Sequence, residues 1–371
     1  MNLSDYLNPL CSDLVSDPDG ELGQQIIFNR GNISFESLSE GDIVVVGIPY
    51  HMNRQLEFTG SSDLVRKELY LLAGCNDCNS SIMDAGDLKQ GRNVRETLYS
   101  LKELLGLLRD KGVFTLMIGG SDVLNLGILM HLESILGKYS YTIVEPWFSL
   151  AGYMEYQMLN FNLLNYYNLG SQSYYLTQNQ KKWIQENHYE ARRLGKIRDN
   201  LAETEPYLRD SNGCSISINA MKYSESPGQK HPYPNGLNNE EVCQLAKYAG
   251  LANNLGVFGV FDYFPETDSN RVTAKLIAQM LWFSIEGFQM RYHEHPYSDK
   301  HFQKFLVSLD DHKITFYKSE RTSRWWMEIP GKDEIKNQVY PCNKSDYDMA
   351  CHQEIPERWL HAYQKLNFYQ S

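Results

Sequence analysis

The fold is decided by the stretch VFTLMIGGSDVLNLGILMHL, which spans residues 113–132. Residues 113–118 are an apolar run without polar alternation, which is typical of a strand buried on both faces of a parallel sheet. Gly119 and Gly120 then predict a turn, and residues 123–136 predict a helix. Strand, glycine turn and helix in this order make one βα unit.

Two elements on the N-terminal side extend this pattern. Residues 43–48 are a short β-branched run that predicts a second buried strand, and Pro49 ends it. Residues 94–110 predict a helix that packs by one face, because their apolar side chains recur at helical spacing. Lys111 and Gly112 are a typical stop signal for this helix.

The alternation continues on the C-terminal side. We predict strands at residues 141–144, 164–169, 214–218 and 257–261, and helices at residues 182–194, 240–253 and 271–288. Strands that alternate with helices over about 290 residues imply a three-layer α/β/α fold with a mostly parallel sheet. In such sheets, ligands bind at the carboxyl ends of the strands.

The pattern changes after residue 294. We therefore divide the chain into an α/β domain, residues 1–294, and a C-terminal appendage, residues 295–371. The appendage predicts strands at residues 313–318 and 324–329 and a helix at residues 356–366. Its many aromatic side chains indicate packing against the main sheet more than a platform for a ligand.

The composition limits the classes of partner. The 371 residues carry 35 Lys and Arg against 46 Asp and Glu, a formal net charge of -11, so nucleic acid is not an expected partner. No window has the roughly 18 consecutive apolar residues that cross a bilayer, and the first ten residues contain no signal-peptide core. Seven cysteines in a long chain indicate reduced thiols. We predict a cytoplasmic protein without membrane insertion.

Four segments at predicted strand ends resemble the motifs of one enzyme family. They are GGSDVLNLG at residues 119–127, VEPWFS at 144–149, SISINA at 215–220 and FDYFPETD at 261–268. In order and spacing they are similar to the metal-binding segments of the ureohydrolases, which include arginase, agmatinase and formimidoylglutamase. The resemblance covers about residues 40–290, and its layout is nearest to the formimidoylglutamase branch.

The resemblance implies a metal site that this chain does not reproduce. Ureohydrolases hold two manganese ions with two His and four Asp residues, and a hydroxide that bridges the metals attacks the substrate carbon. The corresponding positions here are Asp122, Glu145, Trp147, Ser149, Ser217 and Asn219. Two dications need several carboxylates to balance their charge, and only two of the six positions carry one. We therefore predict no binuclear centre and no cofactor.

Trp147 is the most informative of these replacements. An indole offers no lone pair to a metal, and its bulk is expected to occupy the volume of the ions. The family glutamate that orients the guanidinium group corresponds to Asp262, which we place in the pocket together with Ser121. The family's proton-shuttling His has no counterpart, since no His lies between Ser149 and Asn187.

Two alternatives stay open for the carboxylates of this pocket. Asp122, Glu145 and Asp262 together would suit a single Mn²⁺ or Mg²⁺ ion if waters complete its coordination shell. Otherwise the carboxylates accept hydrogen bonds from backbone amides and from neighbouring polar side chains.

A histidine cluster follows the last predicted helix of the main domain. His293, His295 and His301 lie near Glu294 in the sequence, a spacing that would suit a metal. Exposed charge at a domain junction is the simpler interpretation. Closer to the pocket, residues 231–234 are expected to form a loop over its mouth.

These residues support two hypotheses of function. In the first, the chain is a pseudoenzyme that keeps a ureohydrolase scaffold to bind a small ligand or a protein partner, or to serve as an assembly subunit. In the second, it is a metal-dependent hydrolase of linear C–N bonds, of the formimidoylglutamate, agmatine or arginine type, with a rebuilt site. We favour the first hypothesis and assign no catalytic residue. The resemblance also implies a homo-oligomer.

Overall fold

The structure is a computed structural model that describes residues 3–15, 20–31, 35–50, 61–75, 80–153, 157–160, 164–309, 312–331 and 336–368. Within these ranges, ten strands form a large sheet and four strands form a second sheet. The strands of the large sheet are numbered β1 to β10 in chain order: Leu7–Asn8, Ile26–Phe28, Ile43–Ile48, Ile82–Leu88, Phe114–Gly119, Tyr139–Val144, Leu164–Ser171, Glu190–Arg193, Gly213–Ser217 and Val257–Phe261.

The large sheet is mostly parallel. Its strands lie in the order β1, β4, β3, β5, β10, β9, β6, β7, β8, and β2 also pairs with β4. Among the described pairs, β1 and β4 are antiparallel and the others are parallel. The central strands β3, β5, β10, β9 and β6 are buried along their whole length, which explains why their sequences lack polar alternation. β3 and β10 have the bounds that the sequence predicts.

Fourteen α-helices accompany the strands in the described part of the chain. They are numbered α1 to α14 in chain order: Leu3–Tyr6, Ser12–Val15, Glu21–Gln25, Ser61–Tyr70, Val94–Asp110, Asn125–Ile135, Leu150–Tyr153, Gln178–Glu186, Leu194–Asp199, Glu205–Asp210, Asn239–Leu251, Val272–Gln289, Lys344–Cys351 and Glu357–Phe368. Among these helices, none is long and apolar enough to cross a membrane.

Helices cover both faces of the large sheet. On one face, Val65 of α4 and Leu281 of α12 belong to a cluster that contains Leu116. On the other face, Leu101 of α5 belongs to a second cluster that contains Met117. Residues 116 and 117 are neighbours in β5 and therefore point to opposite faces. The predicted three-layer α/β/α fold is confirmed.

The appendage contains a separate antiparallel sheet. Its strands β11 to β14 are Phe302–Ser308, Lys313–Ser319, Trp325–Ile329 and Gln338–Cys342, and they pair in that order. With α13 and α14 they enclose an apolar cluster that includes Phe316 and Trp359. Many of the aromatic side chains thus form a core within the appendage. That the appendage packs on the core of the main domain stays a prediction.

Arg209 of α10 joins this second sheet to the main domain. Its Nη2 donates to the carbonyl oxygens of Trp325 and Cys342, each at 3.1 Å. Its guanidinium carbon lies 4.2 Å from the centroid of the Trp326 ring, a cation–π contact. The contact between the two sheets is therefore carried in part by a buried cation.

One predicted helix is wrong. In place of a helix over residues 182–194, the structure has α8, then strand β8, then α9. β8 lies at the edge of the large sheet beside β7, and it carries Arg192 and Arg193. Because an edge strand with charged side chains has no buried apolar run, the helical spacing around it is misleading. The strands β1, β2, β4, β11 and β14 are also absent from the prediction.

A buried ion network holds α4 against β4. The Arg66 side chain is fully buried; its Nε donates to Asp84 at 2.9 Å and its Nη1 donates to Asp87 at 2.6 Å. Tyr70 donates to the same oxygen of Asp84 at 2.8 Å. Burial of this charge is tolerated because it is paired on several sides. The network fixes α4 beside the edge of the sheet where β3 and β4 end.

Replacement of Arg66 by Met is expected to lower the free energy of unfolding by about 3–5 kcal/mol, because it leaves buried carboxylates without a cation. Chemical denaturation followed by circular dichroism measures the change. Lys102→Met is the matched control, since the 3.4 Å pair of Lys102 with Glu103 is partly exposed and contributes less than about 1 kcal/mol. Equal losses in the two variants would contradict the prediction.

Candidate functional site

The site lies where four neighbouring strands of the large sheet end. The strands β5, β10, β9 and β6 are adjacent and parallel, so their carboxyl ends meet at one edge. Asp122, Asp262 and Glu145 lie just beyond the ends of β5, β10 and β6, and Ser217 is the last residue of β9. The fold therefore places at one edge of the sheet the side chains that the sequence assigns to the pocket.

A close backbone contact shapes the turn after β5. A Cβ atom added to Gly120 would lie 1.8 Å from the carbonyl oxygen of Tyr50, so only glycine allows this approach. The N–H of Ser121 donates to the same oxygen at 2.8 Å. The chain then continues as a 3₁₀ turn, Asp122–Leu124, which the Ser121 side chain caps. The orientation of position 122 is thus set by main-chain contacts.

Asp262 links the ends of three strands. Its Oδ1 accepts from the backbone N–H of Asp122 at 2.9 Å, and its Oδ2 accepts from Ser217 Oγ at 2.6 Å. Ser217 Oγ in turn accepts from the N–H of Asn219 at 3.1 Å, and Ser121 Oγ donates to Asp122 Oδ1 at 3.0 Å. Asp262 has a φ of 67°, in the left-handed region that few residue types adopt. This half of the site is a closed set of internal hydrogen bonds.

Glu145 has a different set of partners. Its Oε1 accepts from the N–H of Ser149 at 2.7 Å and from Asn168 Nδ2 at 3.1 Å, and its Oε2 accepts from Ser149 Oγ. Asn168 Nδ2 also donates to the carbonyl oxygen of Trp147 at 2.5 Å. These bonds tie the turn after β6 to β7, which carries Asn168.

The three carboxylates have no cationic partner in the described ranges: no ion pair there involves Asp122, Glu145 or Asp262. Burial raises the pKa of Glu145 to about 8, although the hydrogen bonds from Ser149 oppose the shift. Burial, followed by the charge of Asp122, raises the pKa of Asp262. Burial also raises the pKa of Asp122. Part of the cluster therefore holds protons near neutral pH.

Trp147 forms an aromatic triad with Tyr175 and Tyr233. Its ring centroid lies 6.5 Å from that of Tyr175 and 5.7 Å from that of Tyr233, and the two tyrosine centroids are 5.9 Å apart. Asn168 Nδ2 contacts both Glu145 Oε1 and the Trp147 carbonyl oxygen, so the triad adjoins Glu145. Burial, then Tyr175, then the Asp262 charge raise the pKa of Tyr233. The expectation that Trp147 fills the volume of the ions stays a prediction.

Two residues of the site are not found by sequence reasoning. Asn168 is fully buried in the middle of β7, among aromatic and aliphatic neighbours. A lone amide inside such a strand is a usable signal, because a buried polar group needs partners. Tyr153 donates from its hydroxyl to the carbonyl oxygen of Asp122 at 2.7 Å, and nothing in its local sequence indicates this contact.

The histidine cluster after α12 lies elsewhere. His293, His295 and His301 are exposed, as predicted, and line a cleft of about 740 Å³ between α10 and the appendage. Glu294 accepts instead from Ser319 Oγ at 2.6 Å. Within the described ranges, no group of three or more His, Cys, Asp or Glu side chains is arranged to hold a metal ion.

Solved structures of similar fold are known. One is Trypanosoma cruzi formiminoglutamase with Mn²⁺, at a TM-score of 0.62 and 18% identity over 70% of this chain and 97% of that chain. Another is formimidoylglutamase from Bacillus subtilis, at a TM-score of 0.63 and 13% identity over 75% of this chain and 95% of that chain. A third is proclavaminate amidino hydrolase from Streptomyces clavuligerus, at a TM-score of 0.55 and 17% identity over 69% of this chain and 94% of that chain. No family model and no curated protein matches this chain.

These likenesses first define a class: the chain has the α/β fold of the arginase superfamily, to which the ureohydrolases belong. Two of the three structures above are formimidoylglutamases, so the predicted resemblance to that branch is confirmed at the level of the fold. At identities of 13–18% the likeness concerns the fold and leaves the chemistry of the site to its own residues.

The prediction of no cofactor is corrected by these comparisons. Solved formiminoglutamase structures of this fold contain Mn²⁺, which points to a metal cofactor for proteins of this class. The described residues of this chain nevertheless do not fit a pair of Mn²⁺ ions, because both oxygens of Glu145 and of Asp262 already accept internal hydrogen bonds and no His lies with them. The fold is shared with proteins that contain Mn²⁺, whereas the side chains at the site of this chain do not fit two Mn²⁺ ions.

The pKa of Glu145 predicts a pH-dependent stability. Because this pKa is raised in the folded state, folding favours the protonated form, and stability present at acidic pH is lost as the pH rises toward about 8. Glu145→Gln keeps the acceptor oxygen without a charge, so this variant is expected to lose less stability between about pH 5 and pH 9. Thermal unfolding in a chelating buffer, with the exposed Glu266→Gln as control, measures the two slopes. Identical slopes for wild type and E145Q would contradict the assignment.

Proposed function

We propose that this chain is a pseudoenzyme with a ureohydrolase fold, which binds a ligand or partner and does not hydrolyse C–N bonds. One observation carries the proposal: the carboxylates of Asp262 and Glu145 accept internal hydrogen bonds with both of their oxygens. These oxygens hold the ends of neighbouring strands together. Three hydrogen bonds to Glu145 and two to Asp262 use more than half of the lone pairs of these carboxylates, so the oxygens that remain are too few to hold and balance two metal ions.

The chemistry of hydrolysis needs groups that the described site does not supply. The attacking water must lose a proton and the leaving amine must gain one, which calls for a positioned acid and base. Ser149 and Ser217 carry hydroxyl groups beside the carboxylates, but Ser149 donates to Glu145, and Ser217 donates to Asp262 and caps a turn. A serine nucleophile needs an adjacent base such as His. These bonds favour a structural role for the two serines over a catalytic one.

The alternative function is hydrolysis by a rebuilt site. Two observations favour it: burial raises the pKa of Glu145 to about 8, which suits a general acid or base near neutral pH, and the T. cruzi formiminoglutamase of the same fold contains Mn²⁺. The substrate would then be a compound with a linear C–N bond, such as formimidoylglutamate, agmatine or arginine.

The division of the chain into residues 1–294 and 295–371 belongs to the same proposal. The T. cruzi structure has counterparts for 70% of this chain, which supports an added appendage. We further propose a homo-oligomer or a complex with a protein partner, in the cytoplasm. Light scattering after size exclusion measures the oligomeric state.

An activity assay separates the two functions. Purified protein is loaded with Mn²⁺ and incubated with formimidoylglutamate, agmatine and arginine, with T. cruzi formiminoglutamase as the positive control. We expect no product above the blank from this chain, because its carboxylates are engaged in hydrogen bonds. Elemental analysis of the same samples gives the bound manganese per chain, so that any activity is expressed per metal ion.

Two variants distinguish true activity from contamination. Product formation that falls at least about tenfold in Glu145→Gln or Asp262→Asn would establish the hydrolase and sink the pseudoenzyme proposal. Trace product that is equal in wild type and both variants comes from another enzyme and leaves the proposal standing.

A further inference from the structure

The planes of the three rings in the aromatic triad are steeply inclined to one another and form a corner. The Trp147 and Tyr175 planes meet at 76°, the Trp147 and Tyr233 planes at 58°, and the two tyrosine planes at 87°. Edge-to-face contacts at such distances are common between packed rings, and three rings inclined this steeply to one another form a corner rather than a stack. Tyr175 is 37% exposed and the other two are partly exposed, so the triad faces solvent.

The spacing of the three rings suits a cation. A point about one van der Waals contact above the plane of the three centroids lies about 5 Å from each of them, within the ~6 Å of a cation–π contact. An alkylated ammonium group is attracted to the negative faces of such rings and loses little hydration on leaving water. A guanidinium group also stacks on aromatic faces, but its five N–H donors need more acceptors than the hydroxyl groups of Tyr175 and Tyr233 provide.

The three rings come from separate loops whose backbones are held in place. The Trp147 carbonyl accepts from Asn168, as described above, and Tyr175 ends the 3₁₀ turn Ser173–Tyr175 after β7. The N–H of Tyr233 donates to Gln229 Oε1 at 3.3 Å, and Gln229 is fully buried. The corner is therefore preorganised by main-chain contacts, which lowers the entropy cost of binding.

An acidic cluster with partial negative charge adjoins the corner. Asp122, Glu145 and Asp262 have no cationic partner among the described residues and share protons near neutral pH, and the remaining charge of Asp262 acts on Tyr233. A ligand cation would supply the missing positive charge without competing for the carboxylate oxygens, which are already engaged. A guanidinium group, in contrast, needs directional acceptors in fixed positions.

We infer that the pocket binds a small organic cation with an alkylated ammonium group, which the rings of Trp147, Tyr175 and Tyr233 hold above the carboxylates of Asp262 and Glu145. This inference rests on the proposed function, since it names the ligand class of a site that binds without hydrolysis. The ligand differs from the guanidino and formimidoyl compounds that resemblance to the ureohydrolases implies.

Calorimetric titration of the full chain with choline tests the inference. The neutral isostere 3,3-dimethylbutan-1-ol has the same shape with carbon in place of nitrogen, and agmatine supplies a guanidinium group. We expect choline to bind at least about tenfold more tightly than either compound, because only choline combines the charge with methyl groups that fit the rings. Tyr175→Ala is expected to weaken the binding of choline at least about fivefold. Tyr175→Phe is expected to retain this binding, since the face of the ring makes the contact.

Tyr99→Ala is the matched control, because Tyr99 is 52% exposed on α5, away from the triad. Binding of choline that Tyr175→Ala leaves unchanged, equal binding of the neutral isostere, tighter binding of agmatine or no binding of choline would each overturn the inference. Failure of the proposed function is read separately, from product formation in the activity assay, whichever ligand the calorimeter favours.

Discussion

A carboxylate that leaves water without meeting a cation must be compensated by hydrogen bonds or by a proton, and this constraint organises the candidate site. The protein uses both means. Asp262 accepts from the main chain and from Ser217, and Glu145 accepts from Ser149 and Asn168. The part of the desolvation cost that these hydrogen bonds do not offset raises the pKa values of Glu145 and Asp262. The bonds cross from strand to strand, so the electrostatics of the pocket and the alignment of the central strands depend on each other.

The order of the strands is what makes the site possible. Because β5, β10, β9 and β6 are neighbours, residues that are far apart in the chain reach one edge of the sheet. The Asp122 amide and the Asp262 carboxylate, which are 140 positions apart, are joined by one hydrogen bond. The appendage is attached at a distance from this edge, through Arg209 and its contact with Trp326. A change in the appendage therefore does not directly alter the strand ends that form the candidate site.

The parts of the fold that the sequence predicts well are strands that are buried on both faces and free of charged residues, whereas the buried strand β4 escapes prediction because Asp84 and Asp87 interrupt its apolar run. The strand Val257–Phe261 has the predicted bounds because an apolar run with no polar member has one favourable environment. The edge strand Glu190–Arg193 escapes prediction because its charged residues meet solvent. Likewise the positions of the site follow from strand ends, whereas the partnership of Glu145 with Asn168 depends on which strand lies beside β6, and neighbouring sequence does not encode that.

For the metal site, the likeness of fold and the side chains of this chain point in different directions. The fold of the chain places it with manganese-containing formiminoglutamases, and an expectation of no cofactor drawn from six substituted positions is corrected by that likeness. The donor set on this chain still differs from one that would hold two ions. Fold and ligand chemistry are therefore separate properties of this site, each with its own physical basis.

The main-chain donors at positions 122 and 149 have an evolutionary consequence. Each supplies a hydrogen bond to a buried carboxylate from its backbone N–H, and that donor is present whichever side chain the position carries. Together with the close approach of Gly120 to Tyr50, these bonds hold the main chain at the strand ends whichever side chains stand at positions 122 and 149. The side chains at positions 122 and 149 can therefore change without loss of these two bonds, so that the shape of the strand ends does not dictate which ligands those two positions offer.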